Sequence, residues 1–324
     1  NRRPVLPIAS EEALLSTQQS VMEFSIIDTT SGAFLLWSHN EPGNTNGRIY
    51  GGSVTDSCGL SKTQYLISAQ DSKTRRNPGL TKFNNGNILL TWVESPTSSS
   101  GLAIQVLSSS LSVVTATTVL SSSYVFRRLF THVPLDNGNI MIIGETTNNE
   151  LLGIIVDNTG DIVTSEIELD SSTIHVNVKI LKLSTGDIMI SWNNGDDTHR
   201  TPDLFFIVVS QSGTSVRAFN VLGDTVFYKL PNQMIQLSGG PVANVWSDGH
   251  NLWLNLYDTS SGYVCSHYEV FTDDNNMISS PSFVAFDSST VLISWIVAPD
   301  QAPDQSQHVK KDPPETNLHW KILQ

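Results

Sequence analysis

An all-β fold is predicted by three observations. A ten-residue unit, typified by LSTGDIMISW (Leu183 to Trp192), returns around the whole chain. A second turn marker ending in glycine returns in phase with it. Between the markers the apolar residues fall into short β-rich runs, and only Glu11 to Met22 hints at helical spacing. Together these predict four-stranded units repeated about an axis, a six-bladed β-propeller.

The first marker occurs in order as TTSGAFLLW ending at Trp37, FNNGNILLTW at Trp92, LDNGNIMIIG at Gly144, LSTGDIMISW at Trp192, LSGGPVANVW at Trp246 and FDSSTVLISW at Trp295. The end residues are spaced 55, 52, 48, 54 and 49 apart. The second marker is TDSCG ending at Gly59, DNTG at Gly160, SQSG at Gly213 and DTSSG at Gly262, with LSSSLS in the equivalent place near Ser110.

One period, Val176 to Val221, shows why each piece should be a strand. VNVKILKL is apolar and β-rich, STG is a turn, and DIMISW alternates. After the polar loop NNGDDTHRTPD, the nearly continuous run LFFIVVS suits a strand covered on both faces. SQSG turns the chain into SVRAFNV, the fourth strand. The blades are expected at about 20–68, 77–120, 129–169, 175–221, 230–270 and 280–324 of a single 1–324 domain. The last lacks a fourth strand after NLHWKILQ, and residues 3–10 are expected to supply it and close the ring, which would leave no open sheet edges.

Composition narrows the partners. Charged residues are 15% of the chain, against about 25% in average soluble domains. A net charge of −13 argues against nucleic acid, whose phosphates need clustered Lys and Arg. No apolar run is long enough to insert in a membrane. Asn1 reads as a processed or trimmed end. Cys58 and Cys265 are expected in blades one and five, too far apart for a disulfide. Two free thiols and no Asn-x-Ser/Thr sequon lean toward a cytoplasmic setting, whereas the low charge suits a secreted or cell-surface protein.

Turns within blades are short, so the long loops and interblade links are expected to share the other face and carry function. Two basic pairs stand out there, Arg75 with Arg76 and Arg127 with Arg128, joined by Arg200 and by the linker residues Tyr124, Tyr228 and Lys229. Guanidinium groups bind carboxylate or sulfate in bidentate fashion and aromatic rings stack on sugars, so these residues are candidate ligands for an anionic glycan or an acidic peptide. The alternative is that the arginines pair with nearby Asp and Glu. No cofactor is expected. Asp196 with Asp197, or Asp273 with Asp274, are the oxygen-rich places where calcium could bind, although neither has ion-wrapping spacing. The histidines show no zinc-binding spacing.

KFNNGNILLTW and IIVDNTG resemble the propeller-type repeats of large secreted or surface-anchored bacterial and protist proteins. That resemblance implies an extracellular, non-catalytic adhesion or structural module that recognises a glycan or protein, within a longer chain or an oligomer. LDNGNIMI also resembles the Asp-box turn of six-bladed sialidase-like enzymes. This second resemblance implies a glycoside hydrolase, with Arg76, Arg128 and Arg200 on a substrate carboxylate, Tyr124 or Tyr228 as nucleophile, and Glu145. A third reading is a subunit of a filament or coat.

Overall fold

The computed structural model describes residues 21–29, 32–40, 47–55, 65–68, 73–95, 101–120, 126–171, 175–194, 204–221, 233–237, 240–258, 264–273, 275–285, 290–299 and 317–323. Every regular element among them is a strand. The strands form antiparallel sheets that follow chain order. The first sheet is β1 (Val21–Thr29), β2 (Gly32–Asn40), β3 (Gly47–Thr55) and β4 (Tyr65–Leu66). The second is β5 (Thr74–Lys82), β6 (Ile88–Ser95), β7 (Gly101–Leu107) and β8 (Val113–Leu120). The third is β9 (Phe126–Pro134), β10 (Ile140–Thr146), β11 (Leu151–Val156) and β12 (Ile162–Asp170).

The fourth sheet is β13 (His175–Lys182), β14 (Ile188–Asn194), β15 (Leu204–Val209) and β16 (Ser215–Val221). The fifth is β17 (Gln233–Gln236), β18 (Val242–Ser247), β19 (Asn251–Tyr257) and β20 (Val264–Thr272). The sixth, β21 (Asn276–Ala285), β22 (Val291–Pro299) and β23 (Asn317–Leu323), has three strands among the described residues. The segment expected to complete it, 3–10, lies outside them, as does Cys58. The chain divides into two units, Asn1–Glu168 and Leu169–Gln324.

The repeat is visible in the backbone. In four sheets the marker turn closes with the same backbone bond: Phe83 N donates to Asn87 O, Leu135 N to Asn139 O and Leu183 N to Asp187 O, each at 2.8 Å, and Leu237 N to Pro241 O at 3.1 Å. Gly186 takes φ +89° there, which L side chains rarely adopt. The apolar residues of the strands that follow bury both faces. Strands β7, β10, β11 and β18 are buried at every position. In the first unit, Trp92 packs with Phe34, Leu36 and Ile49 of the first sheet. The opposite face of β6, through Leu89 and Val93, packs with Ile140, Ile142 and Leu152 of the third. In the second unit Trp246 packs with Met189 and Phe206, and Trp295 with Ala243 and Val245. The marker tryptophans at 92, 246 and 295 thus join neighbouring sheets.

The second marker also joins sheets. In the DNTG turn the Asp157 carboxylate accepts Thr159 N (2.9 Å), Thr159 Oγ1 (2.6 Å) and Asp161 N (3.0 Å), while Thr159 O accepts Thr115 Oγ1 of β8 at 2.6 Å. Gly160 has φ +88°, and a Cβ there would stand 3.1 Å from Val106 Cγ2. Gly160→Ala is therefore expected to cost at least about 1 kcal/mol, measured as a lower urea midpoint at unchanged slope.

Val21 and Met22, the last residues of the stretch with a hint of helical spacing, lie in strand β1, and the rest of that stretch lies outside the described residues. One expectation needs correcting. Arg75, Arg76, Arg127 and Arg128 were placed in linkers leading into blades that begin at 77 and 129. They lie inside β5 and β9 instead, because pairing continues past an irregularity: Arg75↔Glu94 and Arg76↔Val93 in one sheet, Arg128↔Glu145 in the other.

Candidate functional site

That irregularity is a bulge, and it recurs. The first strand carries one extra residue opposite the end of the marker strand, between Arg76 and Gly79 facing Trp92, between Val176 and Lys179 facing Trp192, and between Ser279 and Ser282 facing Trp295. Proline in NPG and SSP suits such a bulge, since it cannot donate to the ladder. A bulge re-aims the side chains next to it. In β5 it places Asn77 at φ +51°, a left-handed conformation in which Asn is enriched.

Asn77 uses that orientation to hold a carboxylate from the first sheet. Its backbone N–H donates to Glu23 Oε2, and its Nδ2 donates to Glu23 Oε1 at 2.8 Å. Glu23 opens onto a cavity of about 320 Å³ within the first unit, walled by strands β1, β5 and β9. Ser25, Asn77, Thr81, Thr131 and His132 also line it. His132 Nε2 is hydrogen-bonded to Thr91 Oγ1 at 2.7 Å. Burial pushes the imidazole down to a pKa of about 4, so it is neutral at physiological pH.

His132 fits only because position 79 is glycine. A Cβ on Gly79 would lie 2.0 Å from His132 Cε1 and 2.8 Å from Thr91 Oγ1. Gly79→Ala is expected to displace the imidazole and lower stability by roughly 1–3 kcal/mol, read by chemical denaturation. The His132 titration gives a second expectation. The unfolded imidazole binds its proton below about pH 6.5 and the folded one only below about 4, so stability should fall as pH drops through that window. The slope is at most about 1.4 kcal/mol per pH unit for one proton. His132→Gln should flatten the pH 4–6.5 limb of the denaturation midpoint.

Two residues before Asn77 the strand turns from cavity wall to ion pair. Arg75 is 2% exposed and donates through Nε to Glu94 Oε1 at 2.7 Å. Lys73 Nζ reaches Glu94 Oε2 at 2.8 Å, and Trp92 Nε1 donates to Glu94 Oε1 at 3.3 Å. Burial alone would raise the Glu94 carboxyl, but the bonds from Lys73, Arg75 and Trp92 outweigh it and hold its pKa below the ordinary value. Glu94 is ionised at neutral pH. The corresponding position in β9 is the buried Phe126, opposite Thr146. Where the third sheet buries a phenylalanine, the second buries an arginine. Glu145, in the same third-sheet ladder, is fully buried and paired in register with Arg128.

Of the residues expected to bind a ligand, Arg75 is occupied by Glu94, the pairing weighed as the alternative, and Arg76 is exposed on β5. Arg127 and Arg128 lie in β9. Tyr124, Arg200, Tyr228 and Lys229 lie outside the described residues, as do Asp196, Asp197 and Asp274. Asp273 accepts bonds from Asn276 Nδ2 (2.9 Å) at the start of β21 and from Asn275 N (3.1 Å), which lower its pKa. Among the described residues no group of three His, Cys, Asp or Glu side chains gathers. Glu23, Asn77 and His132 escaped the sequence reading. Their signal was a polar residue interrupting an apolar strand, as in FTHVPL, and the tripeptide NPG, where the structure places a bulge.

No protein-family model and no curated protein matches the chain. Solved structures resemble it in fold, and they are β-propellers. One is a protein of unknown function from Dyadobacter fermentans, 12% identical over 95% of this chain and 96% of that one, with a TM-score of 0.47. Another is the α-L-arabinofuranosidase of Fusarium graminearum with arabinobiose, 11% identical over 92% of each chain, TM-score 0.49. A third is the α-L-arabinanase of Penicillium chrysogenum complexed with arabinobiose, 13% identical over 85% of this chain and 88% of that one, TM-score 0.48. These findings correct the expectation of a non-catalytic binding or structural module: the structures that resemble the chain include glycan-cleaving enzymes, and the non-catalytic reading is withdrawn.

Proposed function

We propose that the six sheets are the blades of one six-bladed propeller, completed by residues 3–10, and that the protein cleaves glycosidic bonds. The fold part is supported by the shared repeat and by the six antiparallel sheets that follow one another in chain order among the described residues. The observation that carries the activity is the Glu23 carboxylate, opening onto a polar cavity and oriented by both donors of Asn77. A carboxyl group held in one orientation beside a space that fits a small ligand is what acid–base catalysis on a glycosidic oxygen needs. Hydrolysis uses a second carboxyl group, about 5 Å away in retaining enzymes and further in inverting ones. Glu94 is not that group: it is buried against Arg75 and Lys73 and does not line the cavity, so Glu23 is the carboxyl group on which this reading rests.

Reducing-sugar release from a panel of neutral oligosaccharides and aryl glycosides tests the proposal. Turnover by the wild-type chain, lost in Glu23→Gln, is the expected result. A folded protein that turns over none of them, or a Glu23→Gln variant as active as wild type, rejects it.

A further inference from the structure

Resting on that reading, we infer that the cavity of the first unit selects an uncharged sugar, one residue in size, and rejects anionic sugars. Three observations converge. Among the described lining residues the only acidic side chain is Glu23, and none is Lys or Arg. A negative ligand group would meet the Glu23 carboxyl group with no Lys or Arg in the wall to offset it, and like charges repel. His132, the one residue of the wall that could supply a cation, is held neutral by its surroundings and already bonded to Thr91.

The remaining wall is suited to hydroxyl groups. Glu23 keeps lone pairs beyond those taken by Asn77, and Ser25 and Thr131 bring hydroxyls that both donate and accept. A volume of about 320 Å³ lies at the lower end of the range for small-molecule sites, roughly 300–1,000 Å³. Cations beside the wall in sequence are engaged elsewhere: Arg75 and Lys73 by Glu94, and Lys82 by Asp28. The arginine-rich acid-sugar site implied by the sialidase-like resemblance therefore has no counterpart in this wall.

Saturation-transfer NMR on the full chain, with methyl β-xyloside as neutral probe and glucuronate as anionic probe, separates the outcomes without requiring turnover. The wild type should bind the xyloside and show at least tenfold weaker binding of glucuronate. Glu23→Gln should narrow that gap, and Thr131→Lys, which adds a cation to the wall, should reverse it. Glucuronate binding as well as the xyloside in the wild type, or a gap unchanged in both variants, overturns the inference. Turnover confined to acidic glycosides would overturn it while leaving the enzymatic reading intact. Selective binding of the neutral probe without turnover would uphold it and reject the enzymatic reading.

Discussion

Arg75→Ala should destabilise the first unit by roughly 3 kcal/mol. Removing one partner of a buried ion pair typically costs about 3–5 kcal/mol, because the remaining charge stays buried without its counterion. Arg75 and Glu94 are nearly inaccessible, at 2% and 5% side-chain exposure. Lys73 still reaches Glu94 in the variant and offsets part of the loss, which places the expectation at the lower end. Thermal and urea denaturation measure it. Arg75→Met combined with Glu94→Met should recover most of the stability, since apolar replacement of both partners removes the buried charge altogether. Were Arg75 a ligand-binding residue instead, the alanine variant would keep its stability and lose affinity.

The second large effect is on activity. Glu23→Gln keeps the shape of the side chain and its capacity to accept from Asn77 through one oxygen, but removes the group that exchanges a proton. Acid–base catalysis by a positioned side chain typically contributes 10²–10⁴-fold, so kcat should fall by at least about 100-fold. KM for a neutral substrate should move much less, because the cavity wall is otherwise intact. A fall in kcat without a matching loss of stability distinguishes a catalytic residue from a structural one.

The architecture was legible because the repeat is written twice, once in the tryptophan hairpin and once in the glycine turn. LSTGDIMISW and DNTG mark, in the sequence itself, the turns between strands β13 and β14 and between β11 and β12. The site was much less legible. Arg75 and Arg76 are adjacent, and in a strand adjacent side chains point to opposite faces. Sequence shows the pair but not which member turns inward, and the structure buries Arg75 while exposing Arg76. Glu94 follows Trp92 by two residues and so shares its face, which makes it the natural counterion once the strand pairing is known. Glu23 and Asn77 are 54 residues apart and meet only because a bulge rotates Asn77 out of the ladder. No periodicity reports a contact of that kind. His132 is equally hidden, since its neutrality arises from burial against Gly79 in another sheet.

The account turns on whether a sugar occupies the space in front of Glu23. A crystal structure of Glu23→Gln grown with a neutral disaccharide tests this most directly, because the substitution should slow cleavage and leave the cavity in place. The expected result is sugar density between strands β1, β5 and β9, with hydroxyl groups within hydrogen-bond distance of residue 23 and Asn77. An empty cavity beside sugar bound elsewhere on the chain would contradict it.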